Sequence, residues 1–258
     1  MNDGPNGASE TGANILINVV IAGVFLGLWE YAARMGWLNP TFFGTPLGIA
    51  RFLWANMVES PKLWQELGYT VLGASVSFVL GSIAAILVGL LFVAVPRLER
   101  IADPWLTAFN AMPRIALAPL FILWFGLGVA SKVAIGVSLC FFIVLSSTVA
   151  GIRGLNQDHA TLTRALGGSP YQMFTLVTLP GAVPVIFSGL RLGLIYALLG
   201  VVAGEIIAAE HGLGQTLSYL SSSFNMDGVL GLLFVLSVLG MSVTWSMTAI
   251  ERRLLRWQ

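Results

Sequence analysis

Residues 67–96, between Glu66 and Arg97, carry no charge and are almost all apolar or small. About 20 mainly apolar residues cross the hydrocarbon of a bilayer as a helix. This stretch is longer than that, and the pattern recurs along the chain. Charge-poor windows lie at about 13–33, 68–95, 103–127, 132–152, 184–208 and 228–250. The third is irregular, because Pro104, Pro113, Pro119 and Arg114 fall inside it, so it is predicted as a broken or kinked helix entered through an interfacial turn. The composition agrees: 57% of the residues are hydrophobic, 10% are charged, and the mean hydropathy is +0.85. A soluble chain needs about a quarter of its residues charged to cover its surface, and lipid removes that need. The expected class is an all-α polytopic membrane protein with about six transmembrane helices.

The net charge of +1 gives no sign of a nucleic-acid partner, and the single cysteine, Cys140, leaves no disulfide framework or CxxC pair. Residues 1–14 hold two acids and no Lys or Arg, unlike a cleaved signal peptide, and residues 1–12 are read as a disordered cytoplasmic tail. Residues 13–258 are read as one transmembrane domain. Lys and Arg accumulate in cytoplasmic loops. With the N-terminus inside, Arg97, Arg100, Arg153, Arg164, Arg252, Arg253 and Arg256 are cytoplasmic, against Arg34, Arg51, Lys62 and Lys132 outside. That bias places both termini, and the loop at about 153–180, in the cytoplasm.

This loop contains TRALGGSPYQMFTLVTLPGAVP, residues 163–184. Leu155, His159, Leu162 and Leu166 make one apolar stripe on a first helix. Gly167 and Gly168 stop it. Ser169, Pro170 and Gln172 then supply an N-cap, a first-turn proline and the third-position partner of a capping box. Tyr171, Phe174 and Val177 are expected to share a face of this second helix, which Pro180, Gly181 and Pro184 end. On pattern alone the pair suits either an amphipathic element resting in the headgroups or a protein-docking element. With Arg164 as its single cation, it is a poor lipid anchor.

Gly167, Val177, Leu179 and Pro180 carry a spacing that resembles the conserved cytoplasmic loop of ABC-importer permeases. PLFILWFGLG at 119–128, GLRLGL at 189–194, VVAGEIIAAEHGLGQTL at 201–217 and ERRLLRW at 251–257 are similar to the nitrate, sulfonate and taurine branch of the binding-protein-dependent permeases. The likeness runs from about residue 42 to 257. It departs where the family loop has a Glu-Ala-Ala triplet, since Thr161, Leu162 and Thr163 stand there.

The resemblance implies a type I ABC importer permease fold in a bacterial inner membrane. It implies two cytoplasmic ATP-binding subunits, a second permease subunit, with a homodimer expected, and an external substrate-binding protein. ATP and Mg would be bound by the partner ATPase, with no cofactor in this chain, and the sequence has no GxxxxGK[ST] phosphate loop. Residues 168–179 would form the main coupling surface, with Thr161, Arg164, Gly167, Gly168, Ser169, Tyr171, Gln172, Phe174, Leu179 and Pro180 as its named positions. The cargo it suggests is a small organic or inorganic anion such as a sulfonate, taurine or nitrate.

Ionisable groups at membrane depth are costly, so Glu205, Arg191 and Arg114 are candidates for the translocation path or a gate. Glu205 reads also, and with more weight, as a buried carboxylate bonded to helix ends or to an arginine of a neighbouring span. Arg191 and Arg114 either snorkel or face a cavity. Gly73, Ser77 and Gly81 form a small-residue face that fits dimer contact or packing within the chain. His159 and His211 are isolated, and no metal site is expected. Residues 210–228, with 36–66, are expected to form the external surface that a binding protein meets. The main alternative is a secondary transporter, but inverted repeats and paired intramembrane acids are not evident. A membrane-embedded enzyme lacks a constellation of catalytic groups.

Overall fold

A computed structural model describes residues 7–154 and 157–254, and among these all regular structure is helical. The chain divides into two compact units.

The first unit takes in the chain up to Leu63 together with Tyr219–Val235. Helix α1, Gly7–Arg34, starts six residues before the expected first span, while residues 1–6 of the expected tail lie outside the described residues. Only 6% of its apolar window is buried, as suits a helix covered by lipid. Short helices α2, Pro40–Phe43, and α3, Pro46–Trp54, follow, each with proline in the first turn and a side-chain cap from Asn39 or Thr45. A π-helical turn, Ala55–Glu59, ends this segment. Asp227 Oδ1 accepts the Thr45 N–H at 2.6 Å, and a Cβ at Gly48 would overlap its carboxylate. Thr45 Oγ1 accepts the Gly48 N–H at 3.0 Å, so two oxygens from different segments serve the start of α3.

The second unit takes in Trp64–Ser218 and the chain from Leu236 onward. Helix α4, Lys62–Ala94, is followed by α5, Pro96–Ala111, then by a 3-10 turn, Arg114–Leu117, that leads into α6, Ala118–Phe125. The chain bends by 86° between α5 and this turn, at the break expected from Pro113. Helices α7, Val129–Arg153, and α8, Gln157–Ala165, come next, then α9, Pro170–Gln172, α10, Leu179–Ile207, α11, Leu213–Ser222, and α12, Met226–Leu254. Among the described residues five helices are long and apolar enough to cross a membrane, or six if the bent pair is one span.

Small residues decide how α4, α7 and α10 meet. Helices in lipid gain no hydrophobic drive toward one another, so close backbone approach and dispersion must hold them. Ser77 Oγ donates to Gly73 O at 2.8 Å and lies 3.2 Å from Val133 O, while a Cβ at Gly81 would press on Cys140 at 3.0 Å. The Gly73, Ser77 and Gly81 face therefore packs within the chain. On α10, a Cβ at Gly200 would meet the Gly136 Cα at 2.8 Å, and one at Gly193 would meet Val144 at 2.6 Å. Cys140, Val144, Ala85 and Ala197 fill the core between these helices.

Candidate functional site

Two regions of the second unit hold most of the candidate residues. The first is the corner at 157–180. Thr161 and position 164 lie in α8. Gly167 has φ +77, and the Gly168 N–H donates to Thr163 O at 2.9 Å, the closing bond of a Schellman turn. Gly168 is needed for a second reason: a Cβ there would meet Thr163 O at 2.9 Å. The capping box follows as expected, with the Gln172 N–H donating to Ser169 Oγ at 3.2 Å and the Ser169 N–H to Gln172 Oε1 at 2.8 Å.

Beyond the box the expectation fails in one respect, because Pro180, Gly181 and Pro184 do not end the helix. It continues as a π-helical segment, Met173–Thr178, straight into α10, so that Pro170–Ile207 is one helical run of 38 residues. A proline in an α-helix clashes with the carbonyl four residues back and lacks the N–H to bond it. The wider π turn opens room there: the Leu179 N–H reaches Phe174 O and Thr178 Oγ1 donates to Met173 O at 3.2 Å, each five residues back. The extra residue per turn also splits the expected face. Tyr171 and Leu176 are 76% and 70% exposed, whereas Phe174 and Val177 are half-buried. With Leu166, 80% exposed, they leave three bare apolar side chains around the corner.

The second region is the buried junction of α4, α7, α10 and α11. Glu205 is 1% exposed, near the end of α10. Its Oε1 accepts from Lys132 Nζ at 2.7 Å, and its Oε2 accepts from Thr70 Oγ1 at 2.9 Å and from the Gly214 N–H at 3.1 Å. Lys132 Nζ also donates to His211 O at 3.0 Å. The Leu213 N–H donates to Thr70 Oγ1 at 2.9 Å, and the Gly212 N–H to Glu66 Oε2. Three successive N–H groups at the start of α11, which a helix cannot bond internally, thus end on Glu66, Thr70 and Glu205. The glycines of EHGLGQ make this approach possible: Gly212 has φ +124, and a Cβ on it would fall within the Glu205 carboxylate. Above the cluster His211 stacks on Tyr69 with ring centres 4.6 Å apart, its Nδ1 3.5 Å from Glu66.

The remaining path candidates sit elsewhere. Arg191 is paired with Glu251 of α12. Arg114 lies over the Phe142 ring, 4.2 Å from its centre, and bonds Asn110. Asn110 and Phe142 line a cavity of about 360 Å³ between α5 and α7, together with Asp103, Thr107 and Ser146 and the Glu99–Arg153 ion pair. That pair also puts the start of α5 and the end of α7 on one side.

Residues 77–256 match the protein family described as binding-protein-dependent transport system inner membrane component. The chain belongs to this family. The formylaminopyrimidine transport permease protein ThiX of Halalkalibacterium halodurans is 32% identical over 236 residues, which is 90% of this chain and 91% of that one. The taurine transport system permease protein TauC of Escherichia coli is 28% identical over 249 residues, 94% and 90% of the two chains. The fold is that of type I ABC importer permeases: a chain of an amino acid ABC transporter with histidines superposes with a TM-score of 0.66 at 16% identity, over 78% of this chain and 98% of that one.

For a permease of this family the secondary-transporter alternative falls away. Sequence reasoning missed Lys132, counted among the external charges, although it is 3% exposed. Removing it changes the charge comparison from seven against four to seven against three, which strengthens the bias. It stands at the boundary of its apolar window, where the sequence carries no signal that separates a snorkelling lysine from a buried one. Thr70 and Glu66 gave none, since a hydroxyl or carboxylate near a helix end is ordinary.

Proposed function

We propose that this permease is the membrane subunit of an ATP-driven importer that works as a homodimer with two cytoplasmic ATP-hydrolysing subunits and an external substrate-binding protein. It resides in a bacterial inner membrane with both termini in the cytoplasm. ATP and Mg belong to the ATPase, in keeping with the absence of a phosphate loop from this sequence.

The observation that carries the reading is the capped glycine corner. It presents Leu166, Tyr171 and Leu176 bare at the head of a helix that runs unbroken into a spanning segment. Bare apolar groups on a short rigid element suit a groove in a partner protein. Thr161, Arg164, Gly167, Gly168, Ser169, Tyr171, Gln172, Phe174, Leu179 and Pro180 are its coupling positions. The glutamate of the family triplet is replaced by Thr161, so docking here rests on apolar contact and backbone shape.

Arg114, Arg191 and Glu205 keep distinct places in the transport reading. Arg114 is the strongest contact for an anionic cargo, since its bonds go to neutral Asn110 and the Phe142 ring, whereas the Arg191 charge is offset by Glu251. Glu205 serves as a gate element, through the cluster that holds α11. The cargo is a small anion or zwitterion of the sulfonate, taurine or nitrate type, a reading supported by the taurine named for one relative. The two relatives are named for unlike solutes, which is consistent with selection by the binding protein.

The test is co-purification of tagged permease with its co-expressed ATPase. Replacing residues 158–178 by a Gly/Ser linker is expected to abolish recovery of the ATPase while membrane insertion persists. Equal recovery from both forms contradicts the reading.

A further inference from the structure

We infer that Lys132, Glu205 and Thr70 act as a positioning latch, which ties the amino end of α11 to the far end of the 38-residue helical run, so that displacement at the coupling corner moves α11. The inference rests on the coupling role proposed for the corner.

Geometry argues for transmission first. Pro170–Ile207 is one run, about 57 Å long at 1.5 Å per residue, with the capping box at one end and Glu205 in its last turn. A push at the corner therefore arrives at Glu205 with no loop between to absorb it. The helix ends two residues beyond Glu205, and at Ala208 the backbone turns extended, so the chain alone would let α11 lag behind.

The cluster removes that slack. Glu205 Oε2 holds the Gly214 N–H, Thr70 Oγ1 holds the Leu213 N–H, and Lys132 Nζ bridges the Glu205 carboxylate to His211 O on the turn itself. One side chain of α10 is thus bonded to α4, α7 and the first turn of α11 at once. The three side chains are 3% exposed or less, so separating them leaves buried polar atoms unpaired, at a cost. A buried ion pair is weak evidence for stability alone, because apolar residues of similar volume often serve as well. Its distinguishing property here is direction: every bond converges on the joint between two helices. The same density of polar bonds is absent from the described α7–α10 interface below it, where glycines and alanines pack.

The test uses the assembled transporter, permease with ATPase in lipid nanodiscs, and a nitroxide at Tyr219→Cys, a site 67% exposed on α11. The distance between the two permease copies is measured without nucleotide and after vanadate trapping. Cys140, the single native cysteine, is buried. Wild type is expected to shift on trapping. Thr70→Val, which keeps the side-chain shape and removes the acceptor, is expected to lose most of that shift and about tenfold of its uptake per ATP hydrolysed. Lys132→Met/Glu205→Gln, which takes both charges out together, is expected to do the same. A shift like that of wild type in both variants overturns the latch, as does uptake that falls only with the amount assembled. A merely structural role lowers assembly and leaves uptake per ATP where it was. Failure of the wild-type permease to bind the ATPase or to shift would instead remove the coupling role beneath the inference.

Discussion

Gly212 shows how a single missing side chain is enforced by its surroundings. Its φ of +124 is rare for L residues, and a Cβ would overlap the carboxylate that bonds the next turn. Gly212→Ala is expected to cost about 3 kcal/mol, from backbone strain and displacement of Glu205. Gly27→Ala, in a helix of lipid-facing surface with nothing within 4 Å, is expected to be neutral or slightly stabilising. Thermal melting of the two purified variants, followed by size-exclusion chromatography, checks the contrast. Equal melting temperatures would contradict it. At this scale the sequence was partly legible. Glu205 stood out because an isolated acid in GVVAGEIIAA must find partners, and a bond to helix ends was among the readings. That the cation was Lys132 was not legible, because a lysine near the boundary of an apolar window looks the same whether it snorkels or turns inward.

Helices show the same division between composition and context. The windows at 68–95, 132–152 and 228–250 all fall in helices long and apolar enough to cross a membrane, and the 86° bend falls where Pro113 predicts a break. The stop at Gly167 and the capping box at Ser169 were legible because each depends on a few neighbouring residues. The continuation through Pro180 was not, because a π turn is chosen by the fit of a long helix to its neighbours rather than by local propensity. This gives a test of the π segment. Pro180→Ala restores an N–H and removes the ring, so the segment is free to tighten to regular α geometry and turn Tyr171 relative to α10. Melting temperature is expected to hold or rise, while uptake in reconstituted vesicles falls about fivefold. Wild-type uptake by this variant would mean that the register set by the π turn is unimportant. The spacing of Tyr171, Phe174 and Val177 makes one face only at 3.6 residues per turn, which the π segment does not keep.

For the whole molecule, membrane class and helix number followed from composition and window length. The proposed division of labour with an ATPase rests on the corner, read together with the family match. The chain offers a continuous helical run and a buried polar cluster at its far end, and the proposed energy source lies in another subunit. Under the proposed function, solute movement is driven through the Gly167–Gly168 corner. The most direct test is solute uptake into proteoliposomes holding the permease and its ATPase, with the binding protein outside and ATP inside, compared with ATP hydrolysis in the same vesicles. Wild type is expected to accumulate solute in proportion to ATP hydrolysed. Gly167→Val, which forces a branched side chain onto a φ of +77, is expected to keep hydrolysis and lose accumulation. Undiminished accumulation by Gly167→Val, or accumulation by wild type without the ATPase, would contradict coupling through the corner.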